Sequence, residues 1–303
     1  MINTAFFIHA LSPLHAGVGS TADVIDLPIA RYKSTGIPFL PGSSIKGVLR
    51  DARDPANGTG LDKDRFLATF GPKSADASDH AGAIMVGDAR LLALPVRSFK
   101  GTFAWVTSPL LLRLTSRDIA IEPLPGIPSV PAGGAFVTEG TCLQLRGAYA
   151  GEIVFQDIEI PASADPLADD WAKAIGSRLF PEDQLMFSER FAIVTDEIMT
   201  FLWETGTQVD TRIRIDPETR TVASGAMWQE ESLPPETLLI GLMGADQARR
   251  QAARNGWGQP ADVQATALPG EEVLQFGGKA SVGRGRCRIL PVSAPETGGA
   301  DAG

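Results

Sequence analysis

The chain has 303 residues, 44% of them hydrophobic and 21% charged, with a formal net charge of −9, and so carries enough apolar material for one elaborated domain or two small ones. It contains no apolar run of about 18 residues and no basic region leading into an apolar stretch, so neither membrane insertion nor export is expected and the cytoplasm is the expected location. Its two cysteines, Cys142 and Cys287, lie far apart without Cys-x-x-Cys spacing, which argues against a zinc ribbon and fits packing roles in a reducing compartment.

A strand is predicted over Ala5 to Leu11, followed by a loop to Arg31. Pro41 and Gly42 then turn the chain into a helix from Ser44 to Arg53, with Ser43 or Ser44 as its cap. Ile45, Val48, Leu49 and Ala52 recur at helical spacing on one side and Lys46, Arg50 and Arg53 on another, so one stripe packs and the other is basic. A capped helix start beside such a stripe outlines a phosphate site, because unpaired N–H groups and the positive dipole end point at whatever lies before the first turn. The same stripe alone also suits an ordinary amphipathic helix with a solvated face. Gly42-Ser43-Ser44-Ile45-Lys46-Gly47 lacks the Gly-x-x-x-x-Gly-Lys-Ser/Thr spacing of a nucleotide-binding loop, which argues against an NTPase.

Next comes a polar insertion from Asp54 to Ala81 that holds one short helical run, Asp62 to Phe70. Strands are predicted at Ala83 to Leu94 and Thr102 to Thr107, the second leading to a helix that Ser108 caps and Pro109 starts. Glu122 to Thr138 reads as loop, Thr141 to Leu145 and Glu152 to Ile160 as strands, and Asp165 to Ser177 and Asp196 to Glu204 as helices. Val209 to Ile215 and Thr219 to Met227 are predicted to form a hairpin around Asp216-Pro217-Glu218, with Ile213, Ile215 and Met227 as apolar residues that either pack in a core or, as the family likeness given below implies, wedge between bases. Arg212 and Arg214 share one face, where they serve equally well to keep an edge soluble or to contact a nucleic acid. Ala245 to Arg254 is read as helix, Val273 to Phe276 as strand, Gly277 to Gly285 as a glycine-rich loop and Cys287 to Val292 as strand, with a disordered tail after Pro295.

The net charge argues against nucleic-acid binding, but its distribution argues for it. Basic residues outnumber acidic ones from Met1 to Arg53, and Lys279 to Arg288 holds four basic residues and no acid. Acids gather instead at Asp157 to Asp170, Glu182 to Glu204 and Glu230 to Glu236. Two basic segments that met in space would line a positive groove in an acidic body, with glycines letting backbone N–H groups of the Gly277 to Gly285 loop approach a polyanion. Chemistry, if present, comes from the loop with His15, suited to proton transfer near neutral pH, and Asp26, able to act as acid–base or to hold a divalent cation. Pro28 drives Leu27 to extended geometry, so Asp26 is presented from a constrained loop. Taken singly, each also suits a loop-capping Asp or a hydrogen-bonded His.

Leu14-His15-Ala16-Gly17-Val18-Gly19, Val24-Ile25-Asp26-Leu27-Pro28-Ile29-Ala30-Arg31 and the Pro-Gly-Ser-Ser-x-Lys-Gly-x-x-Arg helix together resemble the Cmr4 family, backbone subunits of type III-B CRISPR effector complexes within the RAMP superfamily. The likeness continues through Gly206 to Thr237 and Gly277 to Gly285. It implies an α+β Cas7/RAMP fold over residues 1–295, with a ferredoxin-like, RRM-like palm, an inserted helical region at about 54–81 and a thumb hairpin at about 206–228. It further implies a subunit that polymerises in a helical filament along CRISPR RNA with other type III-B Cmr subunits and cuts paired target RNA at regular intervals.

By residue, the resemblance implies Asp26 as principal catalytic group and ligand of a divalent metal ion, Mg2+ or Mn2+, with His15 and Glu230 beside it. RNA contacts are implied for Ser43, Ser44, Lys46, Arg50, Arg53, Arg212, Arg214, Gly277, Gly278, Lys279, Gly283, Arg284 and Gly285. Met227-Trp228-Gln229-Glu230-Glu231-Ser232-Leu233-Pro234 resembles the family's Trp-Tyr-Glu-Glu-Tyr-Leu-Pro segment, with Gln229 and Ser232 in place of tyrosines, which puts a phenol contribution at Ser232 in doubt. Outside the family, Glu230 and Glu231 also read as a solvated turn. A catalytically silent scaffold and a stand-alone endonuclease that matures precursor CRISPR RNA are the competing functions.

Overall fold

The computed structural model describes residues 1–17, 19, 25–72, 80–119, 124–249 and 256–292. Its first strand, β1 (Ile2–Ala10), is buried on both faces over most of its length, Phe6, Ile8 and Ala10 entering one core and Ala5 and Phe7 the other. That division is the two-residue period of a strand with no solvent face. A short β2 (Phe39–Leu40) leads into α1 (Gly42–Ala52), which buries Ile45 and Leu49. The insertion forms a 3-10 turn, Pro55–Asn57, and α2 (Lys63–Phe70), with Asp62 accepting from the Asp64 and Arg65 amides as cap.

The strands β3 (Ile84–Val86), β4 (Ala89–Arg97) and β5 (Phe103–Thr107) precede α3 (Pro109–Asp118), whose cap is Ser108 and whose first residue is Pro109, as the sequence predicts. After β6 (Ala135–Val137) come the hairpin β7 (Glu152–Phe155) and β8 (Ile158–Ala164), then α4 (Pro166–Leu179), α5 (Gln184–Glu189), β9 (Phe191–Val194) and α6 (Asp196–Thr205). A separate two-stranded hairpin, β10 (Gln208–Ile215) and β11 (Val222–Ser232), is followed by β12 (Leu238–Ala245), α7 (Pro260–Ala267), β13 (Glu272–Gln275) and β14 (Arg286–Pro291).

All strands except the β10–β11 pair join one sheet with the path β13-β14-β1-β12-β4-β5-β9-β6-β8-β7. Its stretch β14-β1-β12-β4 is antiparallel throughout, with α1 between the first and second of these strands in chain order and α7 between the third and fourth. That order and connectivity is the ferredoxin-like palm. Both α1 (Ile45, Leu49) and α7 (Val263, Ala267) pack into the core shared with Phe6 and Ile8, while α4 (Trp171, Ile175, Leu179) covers the opposite face with Phe7 and Trp105. The sheet therefore lies between two apolar layers.

Four local expectations are corrected, the first being the reading of Glu122 to Thr138 as loop, since Ala135–Val137 within it forms β6 between β8 and β9. The helix start is Pro41, not Ser43 or Ser44, and no side chain of α1's own start caps it. Asp88 fills that role from a neighbouring turn, its Oδ1 accepting from the Gly42 amide at 2.8 Å. Thr141–Leu145 forms no strand, since Thr141 Oγ1 and the Cys142 amide both bond to the carbonyl of Glu189 in an irregular connection. Ala245 ends β12, residues 246–249 are not helical, and the rest of the expected helix lies outside the described residues, as does the tail.

Candidate functional site

Backbone pairing far apart in sequence assembles the site from four segments. Leu14 and Leu233 exchange both of their backbone hydrogen bonds, at 2.8 and 2.9 Å. Leu27 lies parallel to the end of β11, donating to Gln229 O at 3.1 Å and accepting from the Glu231 amide at 3.0 Å, in the extended form Pro28 requires. The Ala30 amide ties this run to Ala16 O at 2.8 Å. Finally the glycine-rich loop docks on the first segment, the Gly278 amide donating to His15 O at 3.0 Å and the Gly285 amide to Pro13 O at 2.9 Å.

Glycine is demanded at two points of that docking. Gly277 (φ 71°) and Gly285 (φ 78°) both adopt left-handed backbone, and a Cβ would collide with His15 O at the first and Phe276 O at the second. Their close approach is thus to the protein's own backbone. Lys279 is also left-handed, at φ 69°, and begins a 3-10 turn, Ala280–Val282.

Three carboxylates meet here and differ in kind. Glu231, 3% exposed, is saturated: Oε1 accepts from Arg31 at 2.6 Å and Thr207 Oγ1 at 2.8 Å, and Oε2 accepts from the Ile29 amide at 3.0 Å. It pins the 27–31 run. Glu230, 2% exposed, accepts on Oε1 from Lys279 Nζ and Trp228 Nε1, both at 2.7 Å, and Arg212 Nε stands 3.4 Å from Oε2. Burial opposes its charge, but the bonds from Lys279 and Trp228 and the charges of Lys279 and Arg284 outweigh that penalty and hold its carboxyl down at about 2. Glu230 is therefore a fixed anion and has no proton to give near neutrality. Asp26 alone of the three is exposed, its Oδ2 accepting from the Gln229 amide at 2.8 Å and its Oδ1 without a partner among the described residues.

The ring of His15 lies beneath these groups. It is 7% exposed, its Nδ1 is 2.6 Å from the Glu231 carbonyl, and its Nε2 abuts Gly17, where a Cβ would come within 2.5 Å. The carbonyl accepts only, so Nδ1 carries the hydrogen, and the ring braces the 13–17 segment against β11.

The predicted basic residues divide by place. Lys279 and Arg212 stand partly exposed around Glu230, with side chains 34% and 39% accessible, and Arg214 is exposed further along the hairpin. Arg284 is buried and donates to Asp210 Oδ2 and Ser232 Oγ, tying the loop to the base of the hairpin. Ser232 is itself buried, so the tyrosine position holds a bracing hydroxyl. On α1, Arg50 donates to Gly71 O at 2.7 Å and lies over the Phe66 ring, and Arg53 binds Glu272 and Thr266 O. Lys46 Nζ donates to Ile84 O at 3.0 Å, with burial and then Arg50 lowering its pKa. Ser43 and Ser44 occupy the first turn of α1, whose leading amide already serves Asp88. Among the described residues none of these α1 contacts reaches the His15–Glu230 cluster. Arg31 and Asp210, which complete the site, carry no signal in the sequence because their partners are 200 and 74 residues away.

The residues expected as wedge or core, Ile213, Ile215 and Met227, are exposed, as is Val222, and Ile213 pairs with Met227 and Ile215 with Val222 across the strands. A resident metal does not fit the carboxylates present. Glu230 and Glu231 are saturated by cations and amides, leaving one oxygen of Asp26, and no group of three or more His, Cys, Asp or Glu gathers among the described residues. Nor is any helix among them long and apolar enough to cross a membrane.

Comparison with known proteins gives a consistent result. The RAMP superfamily profile matches residues 7–288. CRISPR system Cmr endoribonuclease Cmr4 of Pyrococcus furiosus is 31% identical over 297 residues, covering 97% of both chains. The crystal structure of oligomeric Cmr4 from that organism superposes with a TM-score of 0.72 at 26% identity, over 96% of this chain and 98% of the other. A chain of type III-B Cmr-beta bound to cognate target RNA shares the fold at a TM-score of 0.70 and 20% identity, over 96% of this chain and 97% of its own.

Proposed function

This chain belongs to the RAMP superfamily and, within it, to the Cmr4 family; on that premise we propose that it is a backbone subunit of a type III-B CRISPR effector complex and an endoribonuclease. It binds CRISPR RNA along the sugar–phosphate backbone, assembles with further copies of itself and other Cmr subunits, and cuts the paired target RNA at regular intervals. The relatives supply the class: one is named an endoribonuclease, another is an oligomer, and a third is a complex on cognate target RNA. Guide pairing reads the sequence, so the protein needs phosphate, sugar and shape contacts only.

One observation carries the reading. Asp26 is exposed on an extended run locked to β11, its Oδ2 on the amide of Gln229 and its Oδ1 without a partner among the described residues, one strand position from Glu230, whose side chain gathers Lys279 and Arg212. An anion poised to take a proton and cations able to hold a phosphate are what attack by a ribose 2′-hydroxyl on its own phosphodiester requires. Asp26 takes the 2′-hydroxyl proton, the new P–O2′ bond forms as the P–O5′ bond breaks, and the departing 5′-oxygen is protonated by water. His15 and Glu231 hold the loop, and Glu230, ionised throughout, holds cations. A divalent ion, Mg2+ or Mn2+, would find a single carboxylate oxygen here, on Asp26, which is too few protein ligands for a resident site among the described residues. The exposed pairs Ile213–Met227 and Ile215–Val222 suit insertion between bases of the guide–target duplex.

Reconstituted complex tests this directly. Asp26→Asn is expected to keep guide and target binding and to lower cleavage by about 10²-fold or more, the scale of a positioned acid–base group. Cleavage at the unaltered rate would remove Asp26 from the reaction.

A further inference from the structure

We propose that Lys279 is a catalytic residue of target cleavage: its ammonium group, aimed by the buried Glu230 carboxylate, binds a nonbridging oxygen of the scissile phosphate and stabilises the charge that builds there. The inference rests on the reading of the Asp26 loop as the cleavage site. It also changes the role of Glu230, which becomes a positioning residue acting through Lys279.

The geometry singles out this lysine. Its Nζ lies 2.7 Å from Glu230 Oε1, yet the lysine side chain is 34% exposed and the glutamate 3%, so the ammonium caps a buried counter-charge and keeps donors toward solvent. Three N–H donors serve an ammonium, and Glu230 takes one. The left-handed backbone of Lys279 is unusual for a residue with a Cβ and is imposed by a loop anchored on both sides: Gly278 on His15 O, Gly285 on Pro13 O, and the Val282 and Arg284 amides on the Lys279 carbonyl itself. Strained backbone held by its surroundings is how a side chain is kept in one place for a task.

Its neighbours are less suited. Arg284 is 4% exposed and committed to Asp210 and Ser232. Arg212 stands on the hairpin and meets Glu230 at 3.4 Å. Lys279 instead sits on the loop bound to the His15 segment, which Ala16 joins to Ala30 in the run carrying Asp26. At the site the cations Lys279, Arg212, Arg284 and Arg31 offset the carboxylates Glu230, Asp210, Glu231 and Asp26, so the cluster lacks the negative excess of the whole chain, and Lys279 keeps part of its ammonium toward solvent. As O2′ bonds to phosphorus, the nonbridging oxygens gain negative charge that disperses again when O5′ leaves. A preorganised cation beside them acts on the transition state more than on bound RNA.

The test is single-turnover cleavage at saturating target in reconstituted complex. Lys279→Met is expected to lower the rate about 10²- to 10³-fold while guide and target affinities change by less than about 10-fold, and Lys279→Arg, which keeps the charge, to stay within about 10-fold of the parent. Glu230→Gln is expected to slow cleavage in the parent but to have no further effect in the Lys279→Met background, as for residues acting as one unit. Should Lys279→Met fail to fold, Lys279→Gln takes its place with the same expected loss. A normal rate in Lys279→Met alongside an inactive Asp26→Asn overturns the proposal, as do Lys279 and Glu230 effects that multiply. A normal rate in Asp26→Asn overturns the assignment of the site itself.

Discussion

Replacing Glu230 by Gln tests whether the cluster beneath the loop is held together by a permanent buried charge. At a conversion of about 1.4 kcal/mol per pKa unit, a carboxyl brought from its ordinary 4.5 down to about 2 contributes about 3 kcal/mol to folding at neutral pH. Breaking one side of a buried pair independently suggests about 3–5 kcal/mol. The sign follows from the direction: a depressed folded-state pKa gives stability that is fully present above 4.5 and lost as pH falls from there through about 2. Urea denaturation of the parent and Glu230→Gln, run from pH 7 down to pH 3, reads the difference directly. The parent is expected to lead by about 3 kcal/mol at pH 7, with the gap closing as pH falls below 4.5. A gap under about 1 kcal/mol at pH 7, or one that stays constant across the range, refutes the picture of Glu230 as an ionised anchor.

Other perturbations address the loop, the helix and the cysteines. Gly285→Ala meets both a left-handed φ and the Phe276 carbonyl, whereas Gly283→Ala meets the left-handed φ (79°) with open space around it; the first should cost about 3 kcal/mol and the second about 1 in urea unfolding, and equal costs would mean that the docking is not tight. Arg50→Ala should lower stability by about 1–2 kcal/mol through loss of the Gly71 bond and the Phe66 contact and leave the salt slope of guide binding unchanged, while Lys46→Ala should reduce that slope by about 1. A reduced slope in Arg50→Ala would show that Arg50 exchanges its internal partner for RNA. Burial pushes the Cys287 thiol up to about 12, so at pH 8 iodoacetamide should label Cys142 and spare Cys287 until the chain unfolds, as mass spectrometry of the peptides would show.

Elements with a local signature are legible in the amino-acid order. Ser108 and Pro109 mark the start of α3, Asp216 with its turn amides closes the hairpin, and the apolar stripe of α1 buries Ile45 and Leu49 as spaced. β12 has no such mark. Leu238 to Ala245 is apolar almost throughout because both its faces are covered, so it shows no two-residue alternation. Helix α7 is short and alanine-rich and buries only Val263 and Ala267, too few to set a period. In the site, the motif likeness singles out His15, Asp26 and Glu230, and the fold draws all three segments together. Their division of labour is not legible: His15 is covered, Glu230 cannot release a proton near neutral pH, and Asp26 faces solvent.

What the amino-acid order determined by itself was whatever depends on neighbours along the chain: turns, caps, apolar stripes, glycine positions and the run of motifs that marks a Cmr4 protein. Tertiary structure alone decided how each charge is used. By residue type Arg50, Arg53, Arg284, Lys279 and Arg212 are alike; in the fold Gly71, Glu272 and Asp210 engage the first three, while Lys279 and Arg212 keep part of their surface around Glu230. A cation's partner is chosen by distance in space and by exclusion of water, and neither quantity exists until segments such as 26–31, 228–233 and 277–285 have been brought together.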